Sequence, residues 1–300
     1  MLSKEELRPR LKEARFALYR LKANPLSILG IGIIAFFVAL AFLAPFVAPP
    51  NQPDPYKTPK VVSYQPLPPS PENPFGTSGM PGYSDIYYGV IWGTRISFML
   101  AVVIVGLAVT IGILVGSVAG YLGGKVDEML MRMTDIFFAL PSLLLAMVLI
   151  SVLGRGMMVV VTALIIVWWP GFARLIRAEI LRVKESLYIE AARAMGIREY
   201  VILFRHVLPN SISPVLVLAS LDMGRVVLST AALGFLGLGF DPGTAEWGII
   251  MSEGRNWLLH GAWWVTIFPG IAILAYVLGW NLLGDAFRDI LDPRTRRGMA

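Results

Sequence analysis

Apolar residues crowd into six long runs: Leu26–Val47, Ile96–Tyr121, Met129–Leu153, Met157–Ile176, Pro214–Leu238 and Trp263–Leu283. A helix needs roughly 20 apolar residues to cross about 30 Å of hydrocarbon. Each run meets that length, so the pattern predicts an all-α polytopic membrane protein with six transmembrane helices. The first run is too long for a cleaved signal sequence, and no small-residue cleavage site follows it, so it is read as a span.

Positive charge orders the spans. Seven Lys/Arg lie in Met1–Asn24, seven more in Phe172–Ser211, and four Arg follow Asp285, with Lys125 and Arg132 flanking the turn after the second run. The alternate connections are poor in positive charge: Lys57, Lys60 and Arg95 in the first, Arg155 in the next, Arg255 in the last. Basic loops stay on the cytoplasmic side, which places both termini there.

The polar segments have patterns of their own. Leu7, Leu11, Ala14, Leu18 and Leu21 fall on one helical face, with Lys and Arg opposite. Residues 1–24 thus read either as an interfacial helix on the inner leaflet or as a short solvated helix leading into the first span. Asn24-Pro25 ends it. Pro49–Gly82 holds eleven of the 21 prolines and reads as an extended outer loop. It either docks an external partner or ties the first span to the rest. Gly112, Gly116 and Gly120 recur every four residues and mark a close helix crossing. The resulting division is an interfacial helix over 1–24, a first span over 25–48 and an outer Pro-rich loop over 49–93. A five-helix core over 94–286, with a cytoplasmic loop over 181–211, and a tail over 287–300 complete it.

Composition supports the pattern. Only 15% of residues are charged and 56% are hydrophobic, where soluble chains are about 25% charged. That excludes a soluble enzyme, a disordered chain and a nucleic-acid binder. The net charge of +6 is instead that of loops held against anionic lipid. With no Cys, there is no disulfide framework, thiolate metal site or Cys nucleophile.

Catalytic groups are sparse. His206 and His260 lack metal-ligand spacing, and Gly120–Val126 imitates a phosphate loop without its first glycine or its Ser/Thr. Trp257, Trp263 and Trp264 read as an aromatic belt beside His260. Asp135 lies near the inner end of the third run. Asp222 and Arg225 lie near the middle of the fifth, three residues apart on one face. Such charges either line a path, where Arg225 would meet an anionic group, or pair within the helix. The loop LRVKESLYIEAARAMGIREYVILFRHVLPNSISPVLV is too polar to span. Tyr188–Met195 predicts one helix stopped by a left-handed cap at Gly196, with a second helix from Ile197 that ends before Pro209. The small-residue corner Ala191-Ala192, flanked by Glu190 and Arg193, would let a partner approach.

Glu190-Ala191-Ala192 with Arg193, Gly196 and Leu208-Pro209 resembles the EAA signature of binding-protein-dependent ABC importer permeases. Trp169–Glu179, Arg205–Asn210, Phe235–Gly239, Trp247-Gly248 with Glu253-Gly254-Arg255, and Asn281–Asp285 with Leu291–Arg294 are similar to the dipeptide/oligopeptide permease group, C-type subunit. Asn73–Thr77 and Gly93–Ser97 match the lead-in to the second span. The chain departs from that group at Gly79–Asp85, where a G-R-D stretch is usual, at Thr230, where an acid is frequent, and at Gly234, where Ser is usual. The resemblance implies a type I ABC importer permease bundle that is not itself an enzyme. It implies a homologous B-type permease, two ABC ATPase subunits that bind ATP and Mg, and an extracytoplasmic substrate-binding protein as partners. Glu190–Gly196 would form the coupling helix. Peptides are the first expected cargo, with oligosaccharides or nickel complexes as alternatives, and an ion-driven carrier or channel as a remote one.

Overall fold

A computed structural model describes residue 21, residues 24–80 and residues 82–291. The helix expected over 1–24 and the tail beyond residue 291 fall almost wholly outside the described residues. The helices are α1 (Pro25–Val47), α2 (Ile86–Leu122), α3 (Gly124–Phe138), α4 (Ser142–Leu153), α5 (Met157–Lys184), α6 (Leu187–Ala194), α7 (Glu199–Ile202), α8 (Leu208–Ser211), α9 (Ser213–Phe235), α10 (Trp247–Gly254) and α11 (Trp264–Leu291). A π-turn, Leu203–Val207, joins α7 to α8, and a short 3-10 turn, Leu258–His260, precedes α11. Among the described residues the only β-like features are three isolated bridges.

Five helices, α1, α2, α5, α9 and α11, are long and apolar enough to span. The third expected span differs. It is two helices, α3 and α4, bent by 85° at the break that contains Pro141. Proline removes one backbone donor and crowds the preceding turn, which ends α3. The polar half then lies alongside α5 instead of continuing upward. Arg177 makes a bidentate ion pair with Asp127, and Arg174 pairs with Asp135 while stacking over Phe138 at 4.1 Å. Pro45, Pro170 and Pro269 lie inside α1, α5 and α11 without ending them.

The α2–α5 crossing organises the core. A Cβ placed on Gly112 would stand 2.4 Å from the Phe172 Cβ, and one on Gly116 would stand 2.2 Å from the Ala173 carbonyl oxygen. Gly120 faces the Arg177 carbonyl in the same way. The glycine stripe is therefore what lets two backbones meet, as expected from its spacing. On the other side, Gly30 of α1 faces Leu282 and Gly279 of α11 faces Ile33, so α1 packs on α11.

Helix α2 begins at Ile86, ten residues before the expected start at Ile96. Asp85 caps it, accepting from Tyr88 N–H at 3.3 Å. Burial raises the Asp85 pKa against the opposing pull of the Tyr88 and Tyr87 amides. Gly93–Ser97, expected before the span, lie inside the helix, and Trp92 beneath them is buried. The outer connection is a folded cap. Thr58 N–H bonds the Gly243 carbonyl at 2.8 Å, and Ala245 N–H bonds the Tyr56 carbonyl at 2.8 Å. The Pro-rich segment thus ties α1 to the loop before α10. Trp257 and Trp264 serve this cap: their indole N–H groups donate to the Met80 carbonyl at 2.7 Å and the Thr77 carbonyl at 3.3 Å. Only Trp263 among the three tryptophans is exposed.

Candidate functional site

The segment after α5 forms a hairpin on the side where Lys and Arg concentrate. Helix α6 follows Ser186 and ends in a Schellman cap. Gly196 N–H bonds the Arg193 carbonyl at 2.9 Å, and Ile197 N–H bonds the Ala192 carbonyl at 3.2 Å. Gly196 has φ +75°, and a Cβ there would meet nothing within 4 Å. The glycine is thus required by the backbone angle and not by close packing. The expected bend at Gly196 is present.

The second half of the hairpin is longer than expected. It does not stop before Pro209 but runs through it, because Leu208 N–H reaches back to the Leu203 carbonyl and opens a π-turn. Proline has no N–H to give, and the wide turn lets the helix pass the missing bond.

The hairpin is braced from within. Arg193 pairs with Glu199 at 3.3 Å across the bend. The Tyr121 hydroxyl, at the inner end of α2, lies 3.0 Å from the Glu199 carbonyl and also contacts its carboxylate. Lys184 donates to the Gly120 carbonyl at 2.9 Å. Ile189 and Ala192 are buried inward, which corrects the expected corner: of Ala191-Ala192 only Ala191 faces out, together with Glu190. Leu208 is half-buried and Pro209 exposed. What the hairpin presents outward is apolar and aromatic. Leu187 is 82% exposed and Met195 73%, with Tyr188, Tyr200 and Phe204 also exposed.

A second feature lies within the bundle. On α9, Arg225 Nη1 donates to Asp222 Oδ1 at 3.2 Å. The Asp222 side chain is 8% exposed and that of Arg225 is 61% exposed. Trp168 of α5 lies beside the Asp222 carboxylate. The hairpin and the ion pair belong to separate parts of the structure, joined by α9.

Two acids at the outer end, one buried and one half-buried, carry no role in the sequence reading. Glu246 is fully buried and caps α10, with Ile249 N–H donating to Oε2 at 3.0 Å, while Oε1 has no partner. Gly234 is bare because a Cβ there would stand 2.3 Å from that Oε2. Burial pushes Glu246 up to about 7, against the Gly248 and Ile249 amides. Glu253 is raised by burial too, opposed by the Ser78 and Ser84 hydroxyls. It lines a cavity of about 380 Å³ together with Lys60, Arg155 and Ser252. An acid directly before an apolar helical turn is a capping signal, and it could have identified Glu246. Nothing local marks Glu253, Glu199 or Trp168, whose partners come from distant segments.

Among the described residues no group of three or more His, Cys, Asp or Glu could hold a metal ion. Residues 112–297 match the family model described as binding-protein-dependent transport system inner membrane component, and residues 14–69 match the N-terminal TM domain of oligopeptide transport permease C. The chain is 37% identical over 302 residues to the probable D,D-dipeptide transport system permease protein DdpC of Escherichia coli, covering 98% of each. It is 36% identical over 282 residues to the dipeptide transport system permease protein DppC of Alkalihalophilus pseudofirmus, covering 94% of this chain and 90% of that one. Its fold is similar to a chain of the MetNI methionine ABC transporter in an inward-facing crystal form, with a TM-score of 0.55 and 20% identity, over 68% of this chain and 97% of that chain.

Proposed function

The chain belongs to the binding-protein-dependent transport system inner membrane components, and from that premise we propose that it forms half the path of an ATP-driven importer of di- and oligopeptides. It is a multi-pass membrane permease that works within an ABC transport complex and is not itself an enzyme. The peptide cargo is supported by the cargo in its relatives' names. The partners are a second, homologous permease, two ATPase subunits that hold ATP and Mg, and an extracytoplasmic binding protein.

One observation carries the coupling role. The braced hairpin has an exposed apolar face, Leu187, Tyr188, Met195, Tyr200 and Phe204, on the side where nucleotide-binding subunits would dock. Exposed apolar patches of this kind mark protein contact sites. Glu190, Ala191, Ala192, Arg193 and Gly196 form its tip, and Leu208 and Pro209 complete its return limb. ATP binding would close the ATPase pair, draw the two hairpins together and rock the bundle. The loaded binding protein favours one of the two states by contacting it better.

The test is reconstitution. The chain alone in liposomes should accumulate no peptide, and the complex with ATPases, loaded binding protein and ATP should. Met195→Asp and Leu187→Asp should release the ATPase subunits in a pull-down while leaving the helical content of the chain intact. Nucleotide-independent accumulation by the isolated chain would overturn the assignment.

A further inference from the structure

Arg225 lies twelve residues past Ser213 and ten before Phe235 in α9, about 18 Å and 15 Å from the two ends at ~1.5 Å per residue. It therefore sits near the middle of a helix long enough and apolar enough to cross a layer about 30 Å thick. Three other arginines in the spanning helices have aromatic or acidic partners from their surroundings: Arg95 lies over Trp92, and Arg174 and Arg177 pair with Asp135 and Asp127. α9 is the least apolar of the five long helices.

An arginine at this depth cannot reach either interface, and hydrocarbon is its costliest surrounding. Its exposed head therefore faces water or another subunit. The guanidinium carries five N–H groups in a planar fork, and among the described residues one hydrogen bond, to Asp222, holds it. Asp222 is buried between α9 and Trp168 of α5 and fixes the stem side of the head. The remaining fork is open, beside the exposed Leu228 and the partly exposed Leu221. A planar fork of N–H donors in an apolar wall matches a carboxylate in geometry and charge.

We propose that Arg225 is the carboxylate-recognition point of the translocation path, that it meets the C-terminal carboxylate of a peptide in transit, and that Asp222 is the positioning residue that holds it at the wall. The proposal rests on the peptide-importer reading. The cation makes the path selective in its own right, after the binding protein has released its cargo. A peptide whose C-terminus is capped as an amide offers no anion to the fork and should cross more slowly.

The experiment uses the full complex in proteoliposomes, with alanyl-alanine and its C-terminal amide as probes. Each is supplied at a concentration that saturates the binding protein, and uptake is counted per ATP hydrolysed. The parent should favour the free acid by about tenfold, the effect of losing one charged hydrogen bond. Arg225→Met should bring that ratio close to one, and Arg225→Lys should retain part of it. Asp222→Asn keeps a polar contact for the guanidinium and should hold the ratio within about twofold. Asp222→Ala should lower it, although Arg225 is still present, and this change in ratio is one that a merely structural role for Asp222 would not produce. The proposal is overturned if Arg225→Met keeps the parental ratio. It is equally overturned if that variant separates the permease pair on size exclusion, which would make Arg225 an interface residue. If the parent moves neither probe although alanyl-alanine loads the binding protein, the peptide-importer reading itself has failed.

Discussion

Gly196 offers a clean test of the hairpin, because its role can be isolated. Its φ is +75°, and a side chain there meets nothing within 4 Å. A substitution therefore adds no clash, and what remains is the left-handed backbone penalty, about 1–2 kcal/mol for an L-residue. That penalty falls on the cap formed by Gly196 N–H to Arg193 and Ile197 N–H to Ala192. It should lower the ratio of closed to frayed hairpin by about 5–30-fold in Gly196→Ala. Asn tolerates the left-handed region better, so Gly196→Asn should fall between the parent and Ala. Hydrogen exchange at Ile197 reports the cap directly: the amide should exchange faster by that factor in the order Gly, Asn, Ala. In the assembled complex, ATP hydrolysis should become less dependent on loaded binding protein in the same order. An alanine variant that exchanged like the parent would show that the angle is not needed. Faster exchange with unchanged coupling would show that the order of the hairpin does not matter to transport.

Two further predictions concern the bundle and its outer end. Gly116→Ala drives a Cβ to 2.2 Å from the Ala173 carbonyl oxygen, whereas Gly106 on the same helix faces open space. The first should lower the stability of the purified protein by about 1–3 kcal/mol in a thermal or denaturant assay, and Gly106→Ala should leave it unchanged or slightly higher; equal effects would refute the packing argument. Glu246 has a folded pKa of about 7 against an ordinary 4.5. Between those values the unfolded chain loses its proton first, so stability should fall as pH rises through that window and level off above it. Gln can still accept from Ile249 N–H, and Glu246→Gln should flatten the profile and be more stable than the parent at pH 8. A parental profile in that variant would place the titration elsewhere.

The bundle was readable because membrane burial imposes a simple rule on long stretches of chain. Six apolar runs, the charge alternation and the four-residue spacing of Gly112, Gly116 and Gly120 each depend on local composition. The bend at Gly196 was readable for the same reason, since a left-handed cap is a local requirement. Contacts between distant segments set what was not readable. Met129–Leu153 is apolar enough for one span, and the ion pairs of Asp127 and Asp135 with α5 show why its first half lies alongside that helix. The Pro-rich connection gave no hint that it folds against residues 243–245, because the backbone groups and the Lys57 and Thr58 side chains that make the contact meet partners far along the chain. Ala192 looked like half of a presented corner, yet a three-residue offset from Ile189 turns it inward. At the ion pair, spacing placed Asp222 beside Arg225, but only the fold shows that one is buried and the other open.

Helix α2 is unbroken over 37 residues, about 55 Å at ~1.5 Å per residue, and it touches the hairpin at one end and the outer cap at the other. Tyr121 and Gly120 engage Glu199 and Lys184 at the foot, while at the head the Trp247 indole seats on the Val90 carbonyl at 3.0 Å. Such a continuous rod would act as a lever. Pivoting about its foot by roughly 5° would sweep its far tip through about 5 Å, given that ~55 Å reach. A pull of modest amplitude on the cytoplasmic face would thereby reach the opposite surface as a displacement wider than a water molecule.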